Sequence, residues 1–161
     1  MSYKIEQASK DDLNFILSLN QDSIPAVSSS NLEMMRHFLA ISDYFKVCKV
    51  NGISIGFLIA LLPEKDYNSE HYKWFNDRYD SFIYVDRIIF NKSYQKQGYG
   101  TIFYNDLINS IKNKSLDIAC EINFKPYNEQ SIKFHNKYGF KEVGRKDVNI
   151  KKSVIYMIYD K

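Results

Sequence analysis

A glycine-containing turn is the part of this sequence whose residue types and spacing most clearly predict chemistry. The turn Gln95-Lys96-Gln97-Gly98-Tyr99-Gly100 lies between a strongly apolar stretch and a helical pattern. Such a turn binds anions, because the first amide groups of the helix have no internal partner and the helix dipole adds about half a positive charge. Gly98 and Gly100 would let a pyrophosphate approach the backbone closely, and Lys96 would add a charge at the rim. We therefore expect a phosphate-binding site here, the alternative being an ordinary helix start.

Two familiar phosphate-binding loops do not fit the same residues. A P-loop requires the pattern GxxxxGK[ST], which is absent from the sequence. A dinucleotide-binding loop requires a third glycine where this chain has Phe103. Nucleotide hydrolysis and nicotinamide chemistry are accordingly disfavoured.

A second chemical signal is a pair of charges inside an apolar strand. Residues 82–90 are almost entirely β-branched or aromatic, as in a central strand covered on both faces, but Asp86 and Arg87 interrupt them. Charges in such a strand require a specific role or a partner. The pair therefore indicates either a functional carboxylate or a salt bridge.

Strands and helices alternate around these residues. Asn51-Gly52 predicts a tight hairpin, the pair Ser30 and Glu33 predicts a capping box, and Gly139 predicts a helix end. Strands are expected near residues 3–7, 44–50, 53–62, 82–90, 116–122, 140–144 and 154–159. Apolar stripes within 13–17, 32–39 and 103–111 indicate three helices, and a fourth is expected over 128–138.

The connection from Pro63 to Ser81 is long, acidic and rich in aromatic residues. Ordered insertions of this kind are often binding loops, so we expect a binding role. The alternative is a surface hairpin or helical turn that is packed by its own aromatic side chains.

The composition predicts one compact, soluble domain over residues 1–161. The chain is 45% hydrophobic and 25% charged with a net charge of +3, which disfavours disorder and generic coating of nucleic acid. Cys48 and Cys120 are far apart without a CxxC pattern, so we expect neither a disulfide nor a zinc site, and a cytoplasmic location. The apolar run Ile53–Leu62 is shorter than the roughly 20 residues of a membrane-spanning helix, so no membrane insertion is expected.

Charge is distributed unevenly along the chain. Residues 1–80 carry eight Lys or Arg and 11 Asp or Glu, whereas residues 81–161 carry 14 and eight. The phosphate-binding turn lies in the basic half. The two halves are therefore expected to contact different partners.

Two segments of this sequence resemble the GNAT superfamily of N-acyltransferases. The turn 95–100 has the form Q/R-x-x-G-x-G/A that marks the acyl-CoA site of that family, and it lies between a strand and a helix as it does there. Residues 128–144 resemble the second family signature, a helix that begins with Asn128 and closes on Gly139-Phe140 before a strand. The resemblance rests on specific motifs over residues 82–144 and on element order over residues 1–81.

The resemblance implies an α/β fold with a mixed, mostly antiparallel sheet of about seven strands, about four flanking helices and splayed strands at the centre. The splayed strands would be 82–90 and 116–122. Pantetheine of acetyl-CoA would enter the gap between them and pair with backbone groups near Ile88, Ile89 and Phe90.

The remaining cofactor contacts follow from the two signatures. The pyrophosphate would lie on the backbone amides from Lys96 to Thr101, in the turn that Gln95 opens. Asn128 would contact the pantetheine or adenosine portion, with Ser131 and Phe134 along the same wall. No metal is implied.

The resemblance also implies catalytic groups for acyl transfer, which needs a neutral amine, a site for the oxyanion and a proton for the leaving thiolate. The family often uses a carboxylate on the fourth strand as base, which favours Asp86 ahead of Glu121 on the neighbouring strand. Strand alternation would place Asp86 on the face of Tyr84 and Ile88. A salt bridge with Arg87 is the alternative role for Asp86.

The oxyanion would be held by backbone amides around Ile88–Phe90. The proton donor would be His135, which stands where the family usually has a tyrosine, or Tyr138, three residues later on the same helix face. The alternative for His135 is a histidine packed on the helix face beside Phe134.

The implied function is transfer of an acetyl group from acetyl-CoA to a primary amine of a small molecule or peptide, by direct attack in a ternary complex. The acidic stretch 64–80 and the turn 20–29 would form the acceptor side, which favours a cationic amine over nucleic acid. One alternative is a non-catalytic acyl-CoA-binding or protein-interaction module of the same fold. The other is a nucleic-acid-binding domain that uses the partial basic stripe of Lys133, Lys137 and Lys141.

Overall fold

The computed structural model describes residues 2–160, which form one seven-stranded sheet with helices on both faces. The strands in this range are β1 (Tyr3–Gln7), β2 (Tyr44–Val50), β3 (Ile53–Leu61), β4 (Phe82–Phe90), β5 (Asp117–Lys125), β6 (Lys141–Asn149) and β7 (Lys152–Tyr159). The helices are α1 (Leu13–Asp22), α2 (Leu32–Ile41), α3 (Glu70–Asn76), α4 (Tyr99–Ser110) and α5 (Glu129–Tyr138). The strand order is β1-β2-β3-β4-β5-β7-β6, and all neighbours except β4 and β5 are antiparallel. The predicted fold class is confirmed.

Each face of the sheet has its own hydrophobic core. Phe103 and Leu107 of α4 and Ile132 of α5 are buried against one face. Helices α1, α2 and α3 cover the other face, where Phe38 and Phe75 are fully buried. The sheet is therefore apolar on both sides, as the continuous apolar run in β4 indicates.

The two parallel strands at the centre pair only over a short distance. Phe82–Tyr84 of β4 pair with Asp117–Ala119 of β5. Beyond that point β4 continues along β3 to Phe90, and β5 continues along β7 to Lys125. The facing backbone edges separate there, which leaves a gap that opens toward the C-terminal ends of both strands, as predicted. We call it the β4–β5 gap.

A β-bulge changes which side chains of β4 share a face. The register between β3 and β4 skips Asp86, which is the extra residue. Arg87 consequently lies on the face of Tyr84, toward α1 and α2, whereas Ile88 packs in the core under α4 and α5. Asp86 bonds Tyr67, which packs in the same core cluster as Tyr84, so the expected face is right for Tyr84 and wrong for Ile88.

The connection between β3 and β4 contains α3, a helix that the sequence analysis did not predict. Tyr72 and Phe75 of α3 are buried, and the Trp74 ring stacks on Tyr156 of β7 at 4.1 Å between centroids. The alternative interpretation was a surface hairpin or helical turn packed by its own aromatic side chains; the segment is helical, but its aromatic residues pack on the sheet as well as on one another. A part for residues 64–80 in acceptor binding stays a prediction.

Local turns follow the sequence in two of three cases. Asn51 and Gly52 have φ values of +50° and +81° in the β2–β3 turn, and Gly139 ends α5 with φ +121°. The capping box at Ser30 does not form, because Asn31 is the N-cap of α2 and its side chain accepts a hydrogen bond from the amide three residues later.

Three further properties of residues 2–160 bear on the predicted class of protein. None of their helices combines the length and the apolar character needed to cross a membrane. They bring together no group of three His, Cys, Asp or Glu side chains that could hold a metal ion. Cys48 and Cys120 are both buried and unbridged.

Gly56 on β3 controls how closely β4 approaches. A Cβ atom at this position would lie 2.4 Å from Phe90 Cδ1 and 2.6 Å from the Ile89 carbonyl oxygen. We expect Gly56→Ala to lower the free energy of unfolding by about 1–3 kcal/mol, because β4 must shift to relieve the overlap. Urea unfolding measures this loss. Ser54→Ala on the same strand is the control and should change stability by less than about 0.5 kcal/mol; an equal loss in both variants would contradict the close approach.

Candidate active site

The turn before α4 has the geometry of an anion-binding site. Gly98 is the N-cap of α4 with φ +89°, and Lys96 also has a positive φ of +61°. Among residues 2–160 no side chain caps this helix, so its first amides point outward without a side-chain partner. A Cβ atom built on Gly98 meets nothing within 4 Å, so the protein leaves the space above the turn open. The exposed backbone fits a bound pyrophosphate.

Side chains of the turn fix its position relative to β4. Gln95 Nε2 donates to the Phe90 carbonyl oxygen at 2.9 Å, and Gln97 Nε2 donates to the Ser93 carbonyl oxygen at 2.8 Å. The Tyr99 side chain is buried in the core. These three predicted cofactor residues therefore shape the turn with their side chains, and their backbone is what a phosphate could reach.

The two sequence signatures meet at the N-terminal ends of α4 and α5. A Cβ atom on Gly100 would lie 2.8 Å from Phe134 Cζ, so glycine is what allows the Phe134 ring to lie against the first turn of α4. Asn128 is the N-cap of α5, and its Oδ1 accepts a hydrogen bond from the Ser131 amide at 3.2 Å. Lys96 and Thr101 are exposed at the rim. The predicted cofactor residues are thus brought together on one side of the β4–β5 gap.

Backbone groups of Ile88 and Ile89 lie on the part of β4 that has separated from β5. The carbonyl oxygen of Phe90 is already held by Gln95. The remaining edge of β4 can pair with an extended ligand in the manner of an added strand.

Asp86 is buried and engaged at both carboxylate oxygens. Its Oδ1 accepts a hydrogen bond from the Tyr67 hydroxyl at 2.5 Å, and its Oδ2 accepts one from Arg87 Nε at 2.6 Å. The side chains of Asp86 and Arg87 are only 3% and 4% exposed. This is the salt bridge that the sequence analysis named as the alternative role for Asp86. Tyr67 was not singled out as a partner, because nothing in the sequence connects a loop tyrosine with a strand 19 residues away.

Glu121 differs from Asp86 in having a free carboxylate. It lies on the face of β5 that also carries Ala119, and none of the hydrogen bonds found within residues 2–160 involves its side chain. Burial, and to a smaller extent the charge of Asp86, raises the pKa of Glu121 to about 7. A carboxylate with this pKa can take up a proton and release it near neutral pH.

Arg87 holds a loop that the sequence analysis did not connect with β4. Its Nη1 donates to Asn20 Oδ1 of α1 at 2.7 Å and to the Ser28 carbonyl oxygen at 3.3 Å. Asn123 of β5 donates from Nδ2 to the Pro25 carbonyl oxygen at 2.7 Å. The only sequence signal for these roles was the presence of polar side chains in apolar strands.

His135 is buried in an aromatic cluster between α4 and α5. Its Nδ1 lies 2.7 Å from the Ser131 carbonyl oxygen, which can only accept, so Nδ1 carries the proton. Nε2 then accepts a hydrogen bond from the Tyr104 hydroxyl at 2.7 Å. Burial lowers the pKa of His135 to about 4. In this arrangement the imidazole is neutral and both ring nitrogens have protein partners.

Tyr138 is partly exposed one turn later on α5. Its hydroxyl donates to Asn105 Oδ1 of α4 at 2.8 Å, and burial raises the pKa of Tyr138 to about 12. The phenol therefore keeps its proton throughout the physiological pH range. Its hydroxyl is more accessible than the ring nitrogens of His135.

Buried His135 should make folding depend on pH. The unfolded chain binds a proton below the ordinary pKa of 6.5, whereas the folded chain binds it only near pH 4. The unfolded state holds more protons between these values, so acidification over this range should lower the free energy of unfolding, by a contribution on the order of 2–3 kcal/mol. In His135→Gln we expect a smaller loss between about pH 7 and about pH 4.5, measured by urea unfolding.

The control for this measurement is His37→Gln, at a partly exposed histidine of α2. This variant should keep the pH dependence of the wild type. An identical acid-induced loss in His135→Gln and wild type would contradict the buried neutral imidazole.

Comparison with solved structures shows the same fold in several proteins. Ard1 from Thermoplasma volcanium is 13% identical, with a TM-score of 0.80 over 99% of this chain and 97% of that chain. Arabidopsis thaliana Naa50 in complex with the bisubstrate analogue CoA-Ac-MVNAL is 16% identical, with a TM-score of 0.74 over 99% of each chain. Arabidopsis thaliana NAA60 in complex with acetyl-CoA is 16% identical, with a TM-score of 0.75 over 99% of each chain. At these identities the likeness establishes the fold alone.

No curated protein sequence matches this chain significantly. The family model that describes the acetyltransferase (GNAT) family matches residues 13–140, which include the β4–β5 gap, the glycine turn and α5. The resemblance stated from the two signatures is thereby confirmed. This chain belongs to the GNAT acetyltransferase family.

Proposed function

We propose that this chain moves an acetyl group from acetyl-CoA to a primary amine of a small molecule or peptide, in the cytoplasm and without a metal ion. The amine would attack the thioester directly in a ternary complex, and residues 1–161 would act as one catalytic domain. The observation that carries the proposal is the free carboxylate of Glu121, with a raised pKa, on one of the two strands that border the β4–β5 gap. Membership of the acetyltransferase family supports the same reaction class.

The residues present fit acetyl-CoA at two places on the β4 side of the gap. The unpaired edge of β4 near Ile88 and Ile89 offers backbone groups to an extended pantetheine chain. The first turn of α4, from Gly98 to Thr101, offers amides to the pyrophosphate. Two proteins of the same fold are in complex with a CoA bisubstrate analogue and with acetyl-CoA. Acetyl-CoA supplies the thioester when bound.

Glu121 is the preferred base. An alkylammonium has a pKa near 10.4, so only a small fraction of the amine is neutral near pH 7. A carboxylate shielded from water can accept the proton that the amine loses. Asp86 has the same chemistry, but its two oxygens accept hydrogen bonds from Arg87 Nε and the Tyr67 hydroxyl, so neither is without a partner. We therefore assign Asp86 to holding the site and Glu121 to proton transfer.

Tyr138 is the preferred proton donor for the leaving thiolate. A thiol has a pKa near 8.5, so a nearby phenol that keeps its proton can hydrogen-bond to the thiolate and protonate it as a general acid. His135 stands where the family usually has a tyrosine, but it is buried and both of its ring nitrogens have protein partners. Tyr138 is more exposed, and its hydroxyl would exchange its present acceptor, Asn105 Oδ1, for the thiolate. The oxyanion would be stabilised by backbone amides of the separated segment of β4, around Ile88–Phe90.

Glu121→Gln should lower kcat by roughly 10²–10³-fold, because the amide cannot accept the proton. In the wild type kcat/KM should rise with pH through about 7 as Glu121 loses its proton, and this inflection should be absent from the variant. The assay follows release of CoA with the peptide Met-Val-Asn-Ala-Leu, spermidine and 2-phenylethylamine as acceptors.

Glu142→Gln, on exposed β6, is the matched control and should leave both kcat and the pH profile unchanged. If Asp86→Asn removes the inflection near pH 7 while Glu121→Gln retains it, the assignment of the base is wrong. If acetyl-CoA binds but no CoA is released in the presence of any of the three amines, the chain is a non-catalytic acyl-CoA-binding module.

Gly98→Ala should weaken acetyl-CoA binding by about tenfold, because the added methyl group occupies the open space above the turn where the pyrophosphate would lie. Calorimetric titration with acetyl-CoA measures the change. Gly52→Ala is a closely matched control, since Gly52 also has a positive φ and open space around its Cβ position but lies in the β2–β3 turn. Equal affinities of the two variants would exclude the turn as the pyrophosphate site.

A further inference from the structure

The loop between α1 and α2 contacts both strands that border the β4–β5 gap. We call residues 23–31 the α1–α2 loop. Asn123 of β5 donates from Nδ2 to the Pro25 carbonyl oxygen at 2.7 Å. Arg87 of β4 donates to the Ser28 carbonyl oxygen and to Ser28 Oγ, both at 3.3 Å. The loop is therefore attached to one strand near its beginning and to the other near its end, and it lies across the gap.

These attachments use buried polar groups. Three buried polar residues hold this loop: Asn20, Arg87 and Asn123. Asn20 donates from Nδ2 to the Ser28 carbonyl oxygen at 3.0 Å and accepts from Arg87 Nη1 at 2.7 Å. Burying such groups is costly unless each has a partner, so the network has few alternative arrangements. The position of the loop is consequently well defined.

The attachment points lie next to the two carboxylates of the site. Asn123 follows Glu121 by two residues on the same face of β5, a separation of about 7 Å along a strand. Arg87 follows Asp86 directly, and the bulge puts both side chains toward α1 and α2. An amine that approaches Glu121 from this face must pass the α1–α2 loop.

We propose that Arg87 and Asn123 are positioning residues that hold the α1–α2 loop across the β4–β5 gap as the wall of the acceptor entrance. The proposal rests on the proposed function, because it concerns the amine that Glu121 would deprotonate. Neither residue takes part in the chemistry. Their effect is on how well the acceptor is placed, and the acetyl-CoA side of the gap is independent of them.

The first test measures the loop itself by amide hydrogen exchange. Arg87→Lys retains a positive charge for Asp86 but loses the planar fork that reaches Asp86, Asn20 and Ser28 together. Asn123→Ala removes the donor to Pro25. In each variant we expect amides within residues 23–31 to exchange at least tenfold faster, with exchange in β2 and α4 unchanged. Unchanged exchange in the loop would overturn the proposal.

The second test separates positioning from general loss of stability. With the amine among Met-Val-Asn-Ala-Leu, spermidine and 2-phenylethylamine that the wild type acetylates fastest, KM for the acceptor should rise about five- to twentyfold in either variant. KM for acetyl-CoA should stay within about twofold. The double variant should raise the acceptor KM by less than the product of the two single effects, because either change releases the same loop.

Lys46→Met is the matched control. It breaks the ion pair with Asp106 at 2.9 Å between β2 and α4, away from the gap, and should destabilise the fold without changing loop exchange or the acceptor KM. A rise in acceptor KM in this control equal to that in Arg87→Lys would show a merely structural effect and overturn the proposal. Faster loop exchange with an unchanged acceptor KM would overturn it as well. If the wild type acetylates none of the three amines, the proposed function fails, and the exchange experiment alone decides whether the two residues hold the loop.

Discussion

The separation of β4 from β5 is the constraint on which the rest of the structure depends. Three residues of each strand pair, and beyond them two backbone edges run through the middle of the protein without a ladder partner. Unpaired backbone groups in a protein interior are costly, so a fold that keeps them must hold the strands apart from both sides. Gly56 brings β3 close to β4 on one side, and β7 holds β5 on the other. The gap is stable because its borders are fixed by the outer parts of the sheet.

The charged residues near the gap divide into two kinds. Asp86 and Arg87 form a buried ion pair whose remaining hydrogen-bonding groups are taken by Tyr67 and by the loop between α1 and α2. Such a pair contributes little net stability but fixes geometry, since losing one partner would strand a buried charge. Glu121 lacks these bonds, and burial raises its pKa to about 7. Asp86, with both oxygens hydrogen-bonded, and Glu121, without such bonds, thus lie on neighbouring strands. Only Glu121 has oxygens available to accept a proton.

The sequence predicts most of the sheet and the phosphate-binding turn because these depend on local patterns. Asn51-Gly52, Gly98 and Gly139 all adopt the positive φ that their residue types favour. Helix α3 was missed because its aromatic residues are placed by contacts with β7, more than 70 residues away in sequence, and its own seven residues are too short for a clear period. For Asp86 and His135 the sequence leaves two roles open, because a bulge and a buried hydroxyl from another helix determine their surroundings.

The contact between Gly100 and Phe134 couples the first turn of α4 to the middle of α5. Asn128 caps α5, and Gln95 is hydrogen-bonded to both β4 and Gln130. The two family signatures therefore form one connected block beside the gap. A ligand that seats on this block cannot displace one helix without the other. Under the proposed function, opening for turnover would fall to the α1–α2 loop on the other face of the sheet, which would make cofactor retention and acceptor exchange mechanically separate.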